Sequence, residues 1–343
     1  MALDTSFNRV VATTLPLYAP RVTESIVGGI ALLWKMAMMD GVETRPGGTQ
    51  IGEPTILTAN TTVHSYTEFQ TLDTTLQSDP NIASYLWKII AGTEGLSLLE
   101  QGKNSNSATA PVDLWDAIIN RLALSMRIEV NRELFLDGTG GGGADLTGLA
   151  IGLDFAGTNS VYGNIDSATF TNWRNQTRAS PALNVLDLTT PANQTAMVRT
   201  MRQLANDCSS QNEWPTMYIT SKEIHEAWES TVVLNERFQR ESFDDDMVRS
   251  GFQNFIFKGG VLCFDDHIFP NTLSASPSAT AGHGFLALNL KYLKFVMMEN
   301  FDFVMSDPIR PFDQMADVIQ MILHSNLVMS NRRRQGRTNF RTA

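Results

Sequence analysis

Charge is scarce in this chain of 343 residues. Asp, Glu, Lys and Arg make up 18% of it, against 43% apolar residues. The apolar share is near the globular average and the charged share is below it. Few charges mean few solvated faces, and surfaces covered by other protein are depleted in charge in this way. The composition therefore suits a subunit of a large obligate assembly. Basic residues are in deficit: 26 Lys plus Arg stand against 36 Asp plus Glu, a formal charge of −10. Non-specific nucleic-acid binding needs the opposite field, so any contact with DNA is expected to be incidental.

Cysteine is scarce as well. Cys208 and Cys263 alone exclude a disulfide scaffold and a zinc-finger array, and they fit a reducing compartment, with one bridge between them left open. Cys208, at a helix end, reads as a small buried hydrophobe. The five histidines, His64, His225, His267, His283 and His324, include no pair at metal-ligand spacing. The N-terminal MALDTSFNRVVATTLPLY lacks a basic region followed by an apolar core, so a soluble, intracellular protein is expected. The most apolar stretch, Ile26 to Met39, runs about 14 residues and contains Lys35, short of the roughly 20 a membrane span needs.

Catalytic signatures are missing too. No G-x-S-x-G or H-E-x-x-H occurs. Asp137-Gly138-Thr139 has no second copy, as an aspartic protease would require. Asp244-Asp245-Asp246 lacks the alternating ligand spacing of a calcium loop, and Asp265-Asp266-His267 reads as a surface turn between strands. Asn60-Thr61-Thr62 and Asn193-Gln194-Thr195 match a glycosylation pattern that means nothing without secretion. The run Gly138 to Gly143 invites a phosphate-binding reading, yet no Lys follows it and it ends a helix instead of opening one. It reads as a helix stop and a turn. No catalytic, cofactor or metal residue is assigned, and no enzymatic activity is expected.

The length allows roughly two domains. Residues 1 to 20, with Pro16 and Pro20, read as an extended arm, and a helix follows from Val22 to Met39. Residues 41 to 80 are Thr-rich after the turn Arg45-Pro46-Gly47-Gly48, with strand-like alternation over Thr62 to Phe69. This is a two-stranded excursion without a core of its own, and such a segment becomes ordered on a neighbouring chain. Residues 82 to 99 read as buried strand, and Asn104 to Pro111 as a polar linker. From Asp113, an N-cap or first-turn acid, to Leu136 there is no Gly or Pro. Ile118, Leu122, Met126, Val130 and Leu134 step by four, which predicts a helix on the order of 36 Å long.

Residues 145 to 290 read as a separate α/β unit. It has helices over 193–206 and from Ser221 to Phe238, a strand over 215–220 and a hairpin turning at Gly259-Gly260. A small-residue loop covers 273–284. The period then becomes two, and Val318 to Met329 is a long apolar strand of the kind buried on both faces. The chain ends in a basic tail that includes Arg332, Arg333, Arg334 and Arg337.

This order of parts resembles the major capsid proteins of tailed bacteriophages, the HK97-fold family, over essentially the whole chain. Leu134-Phe135-Leu136-Asp137-Gly138-Thr139-Gly140, with Thr147-Gly148-Leu149 after it, is similar to the end of the family's spine helix. Thr61-Thr62-Val63 to Leu72-Asp73-Thr74 looks like the second strand of its E-loop. Ile165-Asp166, Trp173-Arg174-Asn175 and Met217-Tyr218-Ile219-Thr220-Ser221 resemble axial-domain segments of one subfamily. The resemblance implies an α+β, HK97-like capsid fold: N-arm and helix (1–40), E-loop hairpin (41–80), peripheral domain (81–149 and 290–343, spine helix 113–136) and an inserted axial domain (150–289).

It further implies a structural subunit that forms hexameric and pentameric capsomers of an icosahedral head around double-stranded DNA. Scaffolding, portal and decoration proteins are further candidate partners. No cofactor and no membrane are implied; the location is the virion, with host cytoplasm during assembly. The runner-up is an encapsulin-like nanocompartment subunit, and the third reading is a phosphate-binding enzyme built on the glycine run. Contacts between subunits are assigned to Arg45, Glu53, His64, Tyr66, Glu68 and Asp73 in the excursion, and to Arg332, Arg333 and Arg334. The three arginines are expected to pair with carboxylates of other subunits.

Overall fold

A computed structural model describes residues 31–77, 79, 81–104, 114–154, 161–178, 190–210, 213–235, 255–268 and 282–341. The expected arm, the first part of the apolar helix, most of the linker before residue 111, Asp113, Asp244–Asp246 and most of the small-residue loop lie outside the described residues.

The apolar stretch enters as helix α1 (Ala31–Met38), with Leu32 and Met36 fully buried. Strand β1 (Val42–Arg45) follows, then β2 (Ile51–Thr55), whose side chains alternate strictly between core and solvent. The chain returns as β3 (Asn81–Tyr85), paired antiparallel with β2 from Ile51↔Tyr85 to Thr55↔Asn81. The excursion is two-stranded, but its strands lie at its base. Thr62 to Phe69 form turns and irregular chain instead of the expected strand. The reason is local. Asn60 Oδ1 accepts from Thr62 N (2.9 Å) and Thr62 Oγ1, and Asp73 Oδ1 accepts from Thr75 N (2.9 Å) and Thr75 Oγ1. Short polar side chains that bond neighbouring backbone compete with a strand ladder.

Strand β4 (Lys88–Ser97) ends where Ser97 and Glu100 form a capping box for helix α2 (Leu98–Lys103). Helix α3 (Leu114–Leu134) then buries the predicted stripe: Ile118, Leu122, Met126, Val130 and Leu134 all face the core. Past its end Gly138 takes φ 77°, a left-handed turn that glycine adopts without strain. The later glycines form only a four-residue helical turn, Gly140–Gly143, with no acid or base in it.

The second unit begins with the small hairpin β5 (Val161–Tyr162) and β6 (Ile165–Asp166), followed by β7 (Gln176–Thr177). Helix α4 (Pro191–Cys208) carries Pro at its first turn and buries Met197, Met201 and Leu204 on one face. Strand β8 (Met217–Thr220) is wholly buried and leads to α5 (Lys222–Asn235). Strands β9 (Phe255–Phe257) and β10 (Gly260–Phe264) form the expected hairpin, turning one residue earlier, at Lys258-Gly259. Lys258 sits at φ 46°.

Then come β11 (Gly282–Leu288), β12 (Leu293–Met298), β13 (Val304–Met305), β14 (Ala316–Met329) and β15 (Gly336–Arg341). Two sheets result. In the first, β14 is the hub: β4 pairs along it from Ala316↔Ser97 to Ser325↔Lys88, β12 and β13 pair with it as well, and β1 adds to β12. The second is six-stranded, in the order β7-β15-β11-β8-β10-β9. Burial of β14 on both faces holds only from Ser325 to Met329; upstream its side chains alternate.

The last strand corrects an expectation. It does not complete the first sheet with the rest of residues 290–343 but lies inside the second, between β7 and β11. One apolar core runs from α1 and α3 to β8 and β10, while a second, around Met201, Tyr218, Trp228 and Phe340, fills the space under α4 and α5.

Candidate interaction surfaces

Residues 56–77 leave the β2–β3 base as a loop tied by its own polar side chains. Besides the two turns already described, Tyr66 Oη donates to Thr62 O (2.9 Å) and accepts from Asp73 N (3.2 Å). Asp79 accepts from Thr58 N at 2.8 Å and from the Thr58 hydroxyl, which holds its carboxyl below the usual range. His64 packs on Tyr66 at 4.2 Å between ring centres. At the root Leu57 is buried and its carbonyl accepts from Asn172 Nδ2 (2.8 Å). The loop is therefore shaped before it meets anything.

Its apolar side chains point outward. Ile56, Val63, Phe69, Leu72 and Leu76 are exposed, Phe69 and Leu76 almost completely. The loop thus spends polar side chains on its own backbone while presenting five large apolar groups to water. Of the expected contact residues on it, His64, Glu68 and Asp73 are exposed and Tyr66 is half-buried. The contact residues expected from the sequence are the polar and aromatic ones, and the aliphatic residues and Phe69 between them are not among those expectations. The signal was there: single Leu, Phe, Val and Ile residues set in a run of Thr, Asp and Gln.

Arg45 and Glu53 lie elsewhere and do something else. Arg45 pairs with Glu43 (2.6 Å) and Glu53, and Lys294 reaches Glu43 at 2.7 Å and Glu53 at 3.8 Å. Burial pushes the Glu43 carboxyl up, but Lys294 and Arg45 outweigh it and leave it below the usual range. Glu53 is buried. These two residues join β1, β2 and β12 of one chain; burial takes Glu53 out of reach of another subunit, while Arg45 stays half-buried.

The three tail arginines separate. Arg332 is fully buried, with Nε donating to Gly152 O (2.5 Å), Nη2 donating to Ile151 O (3.3 Å) and the guanidinium 5.6 Å from the Tyr162 ring centre. Enclosed by its own chain, it is not available to another subunit, and the expected contact falls for this residue. Arg333 is exposed and bonds Asn172 Oδ1 (3.0 Å). Arg334 bonds Ser210 O (2.9 Å) and lies 3.7 Å from Glu213. Arg333 and Arg334 line a cleft of about 780 Å³ between the loop root (54–59) and the end of α4.

A second apolar surface, which the sequence reading did not find, surrounds the far end of β14. Val304, Met305, Ile309, Phe312 and Met315 are exposed there, Phe312 completely. Phe312 follows Pro308 and Pro311, the turn-former context that marks an exposed tip.

Chemistry is sparse. Cys208 and Cys263 are buried, and burial raises both thiols. The expected turn is present at Asp266-His267, but Asp265 at its head is buried. Its carboxylate accepts from Asn131 Nδ2 (3.2 and 3.3 Å) on α3 and from His267 N (2.8 Å). Among the described residues no group of three His, Cys, Asp or Glu is placed to hold a metal ion, and no helix is long and apolar enough to cross a membrane.

No family model and no curated sequence matches the chain. Solved structures do. The capsid asymmetric unit of cyanophage A-1(L) superposes with a TM-score of 0.63 at 19% identity, covering 94% of this chain and 95% of that one. The capsid of Myoviridae phage XM1 gives 0.56 at 10% identity over 94% and 96% of the two chains. The holo-SrpI encapsulin complex from Synechococcus elongatus gives 0.52 at 11% identity over 99% and 96%. Shared from end to end with these shells, the architecture of this chain is the α+β, HK97-like capsid fold.

Proposed function

We propose that the chain is the structural subunit of an icosahedral phage head, which self-assembles through hexameric and pentameric capsomers and encloses double-stranded DNA. One observation supports this most: the preformed loop 56–77 holds Ile56, Val63, Phe69, Leu72 and Leu76 in water, and apolar groups exposed together in this way mark a surface for another subunit to cover. In this reading 41–80 is the E-loop, α3 is the spine helix, the sheet centred on β14 is the peripheral domain, and the sheet containing β8 and β15 is the axial domain. Scaffolding, portal and decoration proteins are its candidate partners, and the virion is its location, reached from the host cytoplasm. The acidic balance suits an inner wall that must let DNA slide. An encapsulin-like compartment is the second reading, favoured by the encapsulin among the structural neighbours.

The test is electron microscopy and light scattering of the purified chain beside a variant in which 58–77 is replaced by a short Gly/Ser turn. The full chain is expected to form rings or shells. The variant should stay a folded monomer, lighter than the 37.9 kDa full chain, because the bonded base β2–β3 and the core are left intact. A full chain that remains monomeric at all concentrations and salts, or a variant that closes normal shells, overturns the reading.

A further inference from the structure

The last strand of the chain is an interior strand. β15 pairs parallel with β7 through Gly336↔Gln176 and Arg337↔Thr177, and antiparallel with β11 over six residues, from Gly282↔Arg341 to Ala287↔Gly336. Take it away and, among the described residues, β7 loses its only partner in that sheet, while β11 becomes a bare edge. The core under α4 is opened too. Phe340 is fully buried among Met197, Met201 and Leu204, and Gly336 lies so close to α4 that an added Cβ would sit 2.3 Å from Cys208 Sγ.

The same segment holds the passage between the two units. Arg332 donates to the carbonyls of Ile151 and Gly152, and Arg337 Nη1 to that of Leu153 (3.0 Å). These carbonyls belong to the turn that leads from the end of α3 into the second unit. Gln335 closes a reciprocal amide pair with the backbone of Asn289, at 2.8 and 2.9 Å. Gln335, Arg337 and Thr338 are all buried. Ten consecutive residues therefore supply a sheet centre, a core side chain and the tie between units, and they are the end of the described chain.

We propose that residues 332–341 are a closing latch: the second unit, and its fixed seat on the first, form only when this segment inserts between β7 and β11, so their folding waits until residues 332–341 have left the ribosome. A chain whose residues 332–341 are still inside the ribosome then presents a split sheet and cannot yet offer a finished surface to other copies. The inference concerns folding of one chain and stands whether or not the chain forms shells.

Full-length chains arrested on the ribosome behind Gly/Ser linkers of stepwise length test it, with trypsin cleavage at Arg199 and Arg202 of α4 as the readout. Protection, as cleavage slowed about tenfold, is expected to begin at the linker length that frees 332–341, and not at the shorter one that frees β14 up to Met329. Phe340→Asp on the longest linker should abolish it. Protection that begins once Met329 emerges, or that survives Phe340→Asp, overturns the latch.

Discussion

Arg332 and Arg333 are neighbours in sequence with opposite duties. The first is sealed against Tyr162 and two backbone carbonyls, and burial lowers the pKa of its guanidinium. The second sits in water on Asn172. Truncating a buried, bonded cation leaves its acceptors unpaired, at a cost of about 3 kcal/mol. Arg332→Ala is expected to lower the melting temperature by many degrees, whereas Arg333→Ala should leave it nearly unchanged, both read by circular dichroism. Equal, small shifts in the two variants would mean that Arg332 is not held as described. The sequence showed three alike basic residues; only neighbours 180 positions away distinguish them.

Between elements, the contact of α3 with the turn after β10 is a polar tie in an apolar core. Burial pushes the Asp265 carboxyl up, against the pull of the His267 amide and Asn131. Burial likewise raises Glu133 on the same helix, which accepts from Leu146 N at 2.9 Å. A carboxyl whose folded pKa lies above its unfolded value binds a proton more tightly when folded. Its contribution to stability is therefore greatest below the ordinary carboxylate range and declines as pH rises through that range to the raised value. Asp265→Asn removes the charge and keeps an oxygen for Asn131. It should raise the melting temperature at neutral pH and flatten its rise on mild acidification. A melting temperature lowered most at neutral pH and least in acid would show that the ionised carboxylate stabilises the tie.

At the scale of the whole molecule, the sum of small surface terms decides association. With Arg332 inside, the cationic groups left at the cleft beside the loop root are Arg333 and Arg334, and Glu68 and Asp73 are exposed on loop 56–77. An exposed ion pair contributes only about 0.2–1 kcal/mol, but repetition around the proposed shell would multiply it. The double variant Arg333→Ala/Arg334→Ala is expected to keep its melting temperature and to weaken self-association most at low ionic strength, where screening is least, as followed by light scattering in a salt series. Normal association with loss of bound DNA would place these arginines on the inner wall.

Local chemistry alone settled much of this protein. The four-residue step of Ile118, Leu122, Met126, Val130 and Leu134 named α3 and its buried face, because helix period and burial are properties of spacing. The switch to period two named β12 for the same reason, and a nearly continuous apolar run named β14. The scarcity of charge pointed to covered surfaces, and the order of elements was similar to a capsid subunit before any contact was seen. Other features required the tertiary structure. Thr62 to Phe69 alternate like a strand, yet with no partner strand beside them their side chains bond the local backbone instead. Arg45 and Glu53 look available until β1, β2 and β12 bring them and Lys294 together. The strand after Arg334 could not be assigned to either sheet from its own residues, since both sheets would accept a short alternating segment. Its place between β7 and β11 is decided by pairing across more than fifty residues, by Phe340 finding its pocket under α4, and by two arginines meeting carbonyls that only the folded chain presents.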